Sequence, residues 1–360
     1  MLIVRSPVRI SFGGGGTDLP AYYEQFGGAV LSAAVNKYFY TILGSRTDGR
    51  VQVISSDLRV FANWTDIAHM SHQGNELEIP LAVLKELASK VSVDMFLASE
   101  IPPGTGLGSS ASVCVNILKA LTTYLHKNLS KYELAEQAFH IARHVLHKHV
   151  GKQDEYAAAF GGVNYISFYR DGSTNVEPLD VDPLILRELQ TNLMLFFTGS
   201  SHHSWSILRE QEASARTQSG PAVHALHEVK ELGLKMRDAL GSGELLRFAA
   251  LLDEGWRAKR RISNKISTPR IDQLYQLAMQ HGALGGKITG AGGGGFLLIY
   301  CEDRWKESVR AALLHEGVQE MAFGFDTQGA QVIVNDPFID NDEKGGSRWF
   351  FFPASAATGS

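Results

Sequence analysis

Two glycine-rich stretches hold the residues best suited to chemistry. The first, Pro102-Pro103-Gly104-Thr105-Gly106-Leu107-Gly108-Ser109-Ser110-Ala111, sets three glycines and two serines ahead of a segment whose apolar residues Val113, Ile117, Leu118 and Leu121 recur at helical spacing. A loop of this kind aims successive backbone N–H groups at one point, and the following helix adds positive potential there, which suits a phosphate. Ser109 and Ser110 fall at the junction, where a hydroxyl can reach a magnesium ion bridging the β- and γ-phosphates of a nucleotide. The expected nucleotide contacts are therefore Pro103, Gly104, Gly106, Leu107, Gly108, Ser109, Ser110 and Ala111, with Ser110 on the metal.

The second stretch runs from Gly285 through Lys287, Thr289, Gly290 and Gly292 to Gly295, and Gly290, Gly292 and Gly295 satisfy G-x-G-x-x-G. A dinucleotide-binding fingerprint needs those glycines after a strand and opening a helix, whereas this run leads into the strand-like Phe296 to Tyr300. Lys152 and Lys287 follow glycines, but neither precedes Ser or Thr, so there is no Walker A loop and another nucleotide cradle is required. His140, His144 and His147 recur at helical spacing, but without an H-E-x-x-H arrangement or cysteine partners they read as a solvated face rather than a zinc site.

The elements that must position these loops follow from hydrophobic period. Leu2 to Phe12 and Ala29 to Leu43 read as strands around the Gly13 to Gly16 turn, with further strands at Val51 to Ser55, Val91 to Ala98 and Val163 to Tyr169. Helical spacing covers Leu81 to Lys90, Ser110 to His126 and Leu129 to His149, the last with a Ser130/Glu133 capping box. The polar stretch Arg170 to Pro183 reads as a domain boundary, followed by the strand Asn192 to Thr198, helical patterns over Trp205 to Lys259 and Pro269 to Gln280, and strands near Phe296 to Tyr300 and Gln331 to Val334. An α+β architecture results, with an N-terminal mixed α/β domain over 1–182, a C-terminal α+β domain over 183–336 and a tail over 337–360. The Phe350 to Phe352 cluster in that tail is either an oligomer contact, making a homodimer, or a segment folded back on its own domain.

Composition fits this picture. The 360 residues include 44% hydrophobic and 20% charged residues, the balance of a globular protein, and exceed what one core usually organises. A net charge of -4 gives no footprint for nucleic acid or an acidic membrane, so any phosphate must be bound locally. No apolar run reaches membrane-spanning length, the N-terminus lacks a signal-peptide pattern, and Cys114 and Cys301 sit in apolar stretches as buried thiols, which together imply a cytoplasmic protein.

Three motifs in one order, Pro7-Val8-Arg9 with Gly13 to Asp18, the Pro102 to Ala111 loop, and Lys287 to Gly295, resemble those of the GHMP kinases over nearly the whole chain, to about Val334. Arg5 to Phe12, Gly14 to Leu19 and Gly151-Lys152-Gln153-Asp154 through Gly162 look like those of bacterial D-glycero-D-manno-heptose 7-phosphate kinases in particular. The resemblance implies a two-domain fold with a ferredoxin-like C-terminal domain, ATP and Mg2+ as cofactors, and phosphorylation of an anomeric hydroxyl toward GDP-heptose and surface polysaccharide. Its alternatives are a kinase for fucose or a hexose, and a sensor that binds ATP and sugar without turnover.

Residue by residue, the resemblance implies Asp154 as the catalytic carboxylate that accepts or orients the hydroxyl proton and Arg9 as the cation facing the transferred phosphoryl group. It implies sugar contacts from Gly15, Gly16, Thr17 and Asp18, with Gly290, Gly292 and Gly293 completing the substrate side; the alternative for Asp18 is an Asx turn closing its loop. Arg5, Lys37 and Lys152 are the options for a remote phosphate, and His202, His203 and Ser204 follow a strand end where relatives place residues near the sugar. Many relatives carry a magnesium-binding glutamate about a dozen residues before the catalytic aspartate; here Ala142 stands in that place, Glu136 lies further up the helix, and the metal falls mainly to Ser110 and the phosphates.

Overall fold

The computed structural model describes residues 1–336 apart from 68, 72–73, 89–90, 200–203 and 218. Its spine is the antiparallel pair β1 (Leu2–Gly13) and β2 (Gly28–Ser45). On one side of this pair β2 is followed by β5 (Val93–Ser99), β3 (Val51–Ser55) and β4 (Val60–Trp64), and β3 runs parallel to β5. The first half of β2 also pairs with β6 (Val163–Phe168), which forms a hairpin with β7 (Thr174–Pro178). The stretch expected to divide the domains thus contains a strand of the first sheet.

Helices α2 (Glu78–Ala88), α3 (Ser109–Tyr124), α4 (Lys131–His140) and α5 (Gln153–Phe160) belong to the same half, where Leu81, Val115, Leu118 and Leu134 join Leu2, Val4, Val53 and Met95 in one core. The expected capping box opens α4: Ser130 Oγ accepts from Glu133 N, and the Glu133 carboxylate accepts from Ser130 N. The helix expected to continue to His149 instead passes into a π-helical turn at Ile141–Val145. Single π turns cluster at functional sites, and this one sets Ala142 on a cavity wall.

The second half places β8 (Leu193–Phe197), β9 (Gly285–Ile288), β10 (Phe296–Tyr300) and β11 (Gln319–Glu320) in the antiparallel order β11-β8-β10-β9. That order is the 4-1-3-2 arrangement of a ferredoxin-like sheet. Leu-Met-Leu-Phe-Phe and Phe-Leu-Leu-Ile-Tyr are continuous apolar runs because β8 and β10 are buried on both faces. Helices α8 (Pro221–Gly241), α9 (Leu245–Arg260) and α10 (Pro269–Gln280) supply Leu226, Met236, Phe248, Trp256 and Leu274 to a core that also takes Val8, Ile10 and Phe12 from β1. Each such fully buried side chain contributes about 1.5–3 kcal/mol, so the two halves are welded rather than hinged on a linker.

Two features decide the site's geometry. First, β12 (Gln331–Asn335) returns to pair with β1, so the C-terminal domain expected over 183–336 hands its last strand back to the N-terminal sheet. Second, the β1–β2 pairing jumps between Pro7, opposite Tyr38, and Val8, opposite Val35. Before the jump, Leu2 and Val4 belong to the N-terminal core and Ser6 hydrogen-bonds Ser112 of α3; after it, Val8, Ile10 and Phe12 belong to the other core. Arg5 and Arg9, four residues apart, consequently project to opposite faces. The tail over 337–360, including Phe350 to Phe352, lies outside the described residues, as do His202 and His203.

Candidate active site

The Pro102 to Ala111 loop is built by alternation. Gly104, Gly106 and Gly108 take positive φ of 74°, 80° and 78°, while Thr105 and Leu107 between them are fully buried anchors. Arg9 N donates to Leu107 O at 2.9 Å, fixing the loop to β1. A Cβ at Gly106 would stand 2.6 Å from Thr289 O, and one at Gly290 would stand 2.6 Å from Gly106 Cα. The two glycine runs therefore press backbone on backbone, which explains why the second leads into a strand: it buttresses the first. Gly108 caps α3 without a side-chain hydrogen bond, so the first-turn amides of this helix, which have no intrahelical acceptors, remain available to an anion.

Asp154 lies in the first turn of α5 and meets Arg9 in a two-pronged ion pair: Nε to Oδ1 at 2.7 Å and Nη2 to Oδ2 at 2.6 Å, with Arg9 Nη1 donating to Gly106 O at 2.6 Å. This locks the carboxylate beside the phosphate loop; a side chain on Gly108 would come within 3.2 Å of it. Asp18 closes its own turn by accepting from Gly16 N at 2.9 Å and is also touched by Gln153 N at 3.3 Å, so it serves both as an Asx turn and as a tie to α5. Burial, then the nearby Asp154 charge, push the Asp18 carboxyl above its ordinary range.

One cavity gathers these groups. Arg9, Ser11, Gly15, Gly16 and Asp18 line it from the β1 side, Gly104, Gly106, Gly108, Ser109, Ser110 and Ala111 from the loop, and Asp154 with Gln153 and Glu155 from α5. The C-terminal half contributes Leu208 and Gln211 of α7 (Ser204–Arg216), Lys259 of α9, Gly290 and Ala291. Four buried side-chain atoms of the lining have no hydrogen-bond partner: Ser11 Oγ, Gln153 Oε1, Glu155 Oε2 and Gln211 Nε2. Buried polar groups are almost always paired, so such a concentration marks where a polar ligand belongs. Lys259, buried at 5% exposure, donates to Gly290 O at 2.5 Å; burial, then Arg9, lower its ammonium to about 8. Burial and the Asp154 charge raise Glu155 well above the usual carboxyl range.

A second cavity shares Ile79, Ser109, Ser110 and Lys148 with the first and is walled by Leu58, Pro80, Leu97, Pro103 and Val113, with Ser55, Asp57 and Ser99 as polar points. This cavity adjoins the phosphate loop through Pro103, Ser109 and Ser110, which the sequence did not reveal.

Several of the expected residues lie outside this first cavity. Pro103 lines the second cavity, and Leu107 is core, so its part is the loop's backbone. Thr17 is fully buried and spends its hydroxyl on Gly14 O and Ala29 O, away from the cavity. Gly292 and Gly293 lie against Ile266, with Gly293 N donating to Ile266 O at 2.8 Å; only Gly290 of that trio lines the cavity. None of the three cations considered for a remote phosphate reaches it. Arg5 stacks on Tyr38, 4.4 Å from the ring centroid, Lys37 sits at the β2 irregularity, and Lys152 is buried against Glu136 Oε1 at 2.6 Å and Gly172 O at 2.7 Å. Glu136 accepts there from Lys152 and from Tyr156 and does not line the cavity. His140, His144 and His147 remain on exposed surface. Conversely, sequence reasoning missed Ser11, Lys148, Gln211, Glu155 and Lys259. Lys259 sits in Lys259-Arg260-Arg261, indistinguishable in sequence from ordinary basic residues at a helix end.

Among known proteins, the family description "GHMP kinases N terminal domain" matches residues 78–162 and "GHMP kinases C terminal" matches residues 236–319. The chain is 31% identical over 332 residues to the D-glycero-alpha-D-manno-heptose 7-phosphate kinase of Campylobacter jejuni, covering 91% of this chain and 97% of that protein. It is 25% identical to the L-fucokinase/L-fucose-1-P guanylyltransferase of Bacteroides fragilis, covering 83% of this chain but 34% of that protein. A crystal structure described as a D-glycero-D-manno-heptose 1-phosphate kinase from Bacteroides thetaiotaomicron superposes with a TM-score of 0.78 at 28% identity, over 94% of this chain and all of that one.

Proposed function

This chain belongs to the GHMP kinase family, and on that premise we propose that it transfers the γ-phosphoryl group of ATP to the anomeric hydroxyl of D-glycero-D-manno-heptose 7-phosphate. The observation that carries the reading is the Arg9–Asp154 pair held between a phosphate-binding helix N-terminus and a cluster of unpartnered polar atoms. Phosphoryl transfer is mostly positioning and charge stabilisation, and the residues divide accordingly. The amides of the Gly104 to Ala111 loop would hold the polyphosphate, and the adjoining cavity around Leu58, Leu97 and Pro103 would hold adenine. The sugar hydroxyls would meet Asp18 together with the unpartnered Ser11 Oγ and Gln211 Nε2, a set that suits a polyol. Asp154 would accept or orient the proton of the attacking hydroxyl, while Arg9 and Lys259 would face charge on the transferred group.

Magnesium belongs to this proposal. The lining includes hard oxygen donors at the right end, the Ser110 hydroxyl and an unpartnered buried carboxylate oxygen, as such an ion requires. When bound, magnesium neutralises phosphate charge. We infer a cytoplasmic enzyme whose product, a heptose 1,7-bisphosphate, leads toward GDP-activated heptose for surface polysaccharide. The test is coupled ADP detection with an acceptor panel: heptose 7-phosphate, heptose 1-phosphate, the unphosphorylated heptose and L-fucose. Turnover with the 7-phosphate, yielding a new anomeric phosphate signal by phosphorus NMR, is expected. Preference for the 1-phosphate or for fucose would reassign the acceptor, and no ADP with any of the four would reject the kinase.

A further inference from the structure

Glu155 supplies the unpartnered carboxylate oxygen of the cavity, and no step of the reaction above names it. Its side chain lines the cavity into which Ser109 and Ser110 open, the residue is 2% exposed, and Oε2 has no hydrogen-bond partner. An unpaired buried carboxylate is strongly unfavourable, so such a group normally has a cation or donors of its own. The cations around it are spoken for. Arg9 is held by Asp154 and Gly106 O, Lys148 by Glu78, Lys152 by Glu136, and Lys259 by Gly290 O. Across the same lining, Ala142 and Leu146 offer no donor atom, and the Cys114 thiol turns to Ala138 O.

We propose that Glu155 is a carboxylate ligand of the divalent cation that enters with the nucleotide, sharing it with Ser110. The proposal rests on the kinase reading above and deepens it. A magnesium ion takes one or two carboxylates together with phosphate oxygens and water, and Glu155 brings the cavity a charged oxygen not already bound to a protein cation. Asp154, its neighbour on α5, stays with Arg9 and the acceptor hydroxyl, so consecutive side chains of one helix turn take different partners.

The test is metal binding rather than turnover. Mn2+ is titrated into the full-length protein saturated with ADP and followed by electron paramagnetic resonance, for wild type and Glu155→Gln. In parallel, ADP binding is measured in EDTA and melting is recorded without metal. Glu155→Gln is expected to weaken Mn2+ at least tenfold, leave metal-free ADP affinity within twofold of wild type, and melt no lower, since the amide keeps the shape of a side chain whose Oε2 has no hydrogen-bond partner to lose. Mn2+ affinity within twofold of wild type overturns the proposal, as does an equal loss of metal-free ADP binding, which would mean that the pocket's shape had changed. Wild-type protein that binds no ADP at all would instead overturn the kinase reading itself.

Discussion

Replacing Asp154 with Asn separates chemistry from architecture, because the two contributions differ in size. An amide keeps the shape of the carboxylate and one acceptor oxygen for Arg9, so one of the two charge-assisted hydrogen bonds at 2.6–2.7 Å is lost along with the charge. Hydrogen bonds to charged groups contribute about 1.5–3 kcal/mol, and with the Asp154 side chain 29% exposed the loss should fall toward the lower end. Removing a positioned proton acceptor, by contrast, lowers rates about 10²- to 10⁴-fold, or about 2.7–5.4 kcal/mol in the barrier. Steady-state kinetics beside a thermal melt should therefore show kcat reduced at least a hundredfold in Asp154→Asn, KM for ATP within about threefold, and a drop of a few degrees in Tm. The separation is expected because, in the proposed site, loop amides rather than Asp154 would hold the polyphosphate. A folded variant retaining a tenth or more of wild-type kcat would refute the assignment of Asp154 as the group that handles the hydroxyl proton. A loss appearing wholly in KM for ATP would refute the division of labour between loop and carboxylate.

Lys259 should give a pH signature: its ammonium is depressed to about 8, so its cationic contribution to kcat/KM is present below that pH and fades above it, with Lys259→Arg extending activity to more alkaline pH. Stability should move the opposite way, since between about pH 8 and 10.5 the unfolded lysine binds a proton that the folded one does not; wild type should gain Tm relative to Lys259→Met over that range, and a constant difference would contradict the shift. Gly106→Ala forces an L-residue to φ 80° and drives a methyl to 2.6 Å from Thr289 O, so it should lower stability by about 2–4 kcal/mol and weaken ADP binding, both measurable by denaturation and calorimetry. Gln211→Ala should raise KM for the sugar at least tenfold with KM for ATP unchanged, because its free amide faces the cavity beside Gly16. Glu212→Gln, which cuts the buried link to Arg143 and His149, should instead lower Tm first.

What could be read from the sequence and what could not divides along the range of the forces involved. The phosphate loop, the Ser130/Glu133 capping box and the strand character of Leu2 to Gly13 are local: neighbouring residues and backbone sterics decide them, and they stand in the structure much as their composition indicated. The Arg9–Asp154 pair spans 145 positions and came within reach through family resemblance alone. Arg5 shows the limit of local rules. Strand alternation puts it on the same face as Arg9, and the pairing jump between Pro7 and Val8, visible only once β2 is laid alongside, turns it away. Lys152 shows another limit, because its neighbours in sequence lie at the site while its own stem turns under the helix to Glu136, between the rings of Tyr23 and Phe139. Gln211 and Lys259 belong to helices of the other half, and what makes them informative is their burial against the Gly15–Gly16 turn, a property of the assembled fold.

The placement of α5 explains why one cavity can bind two substrates of like charge and still react them. Its first turn presents Gln153, Asp154 and Glu155 in succession, the first bonded through its backbone to Asp18 at the glycine turn, the second to Arg9 beside the phosphate loop, the third left with a free oxygen among Ser110 and Ala142. In the proposed site a single turn would therefore fix the distances between the sugar end, the reacting hydroxyl and the phosphate end. Because β1 carries Arg9 and Ser11 on that same cavity and is sealed into both cores, the register between donor and acceptor is set by packing rather than by flexible loops. The disadvantage is that two buried carboxyl groups, Asp18 and Glu155, both feel the charge of the half-buried Asp154. Under the proposed assignment, hydroxyl hydrogens at Asp18 and a cation at Glu155 would each lower the repulsion that the other carboxyl groups feel, so binding of one substrate is expected to favour the other.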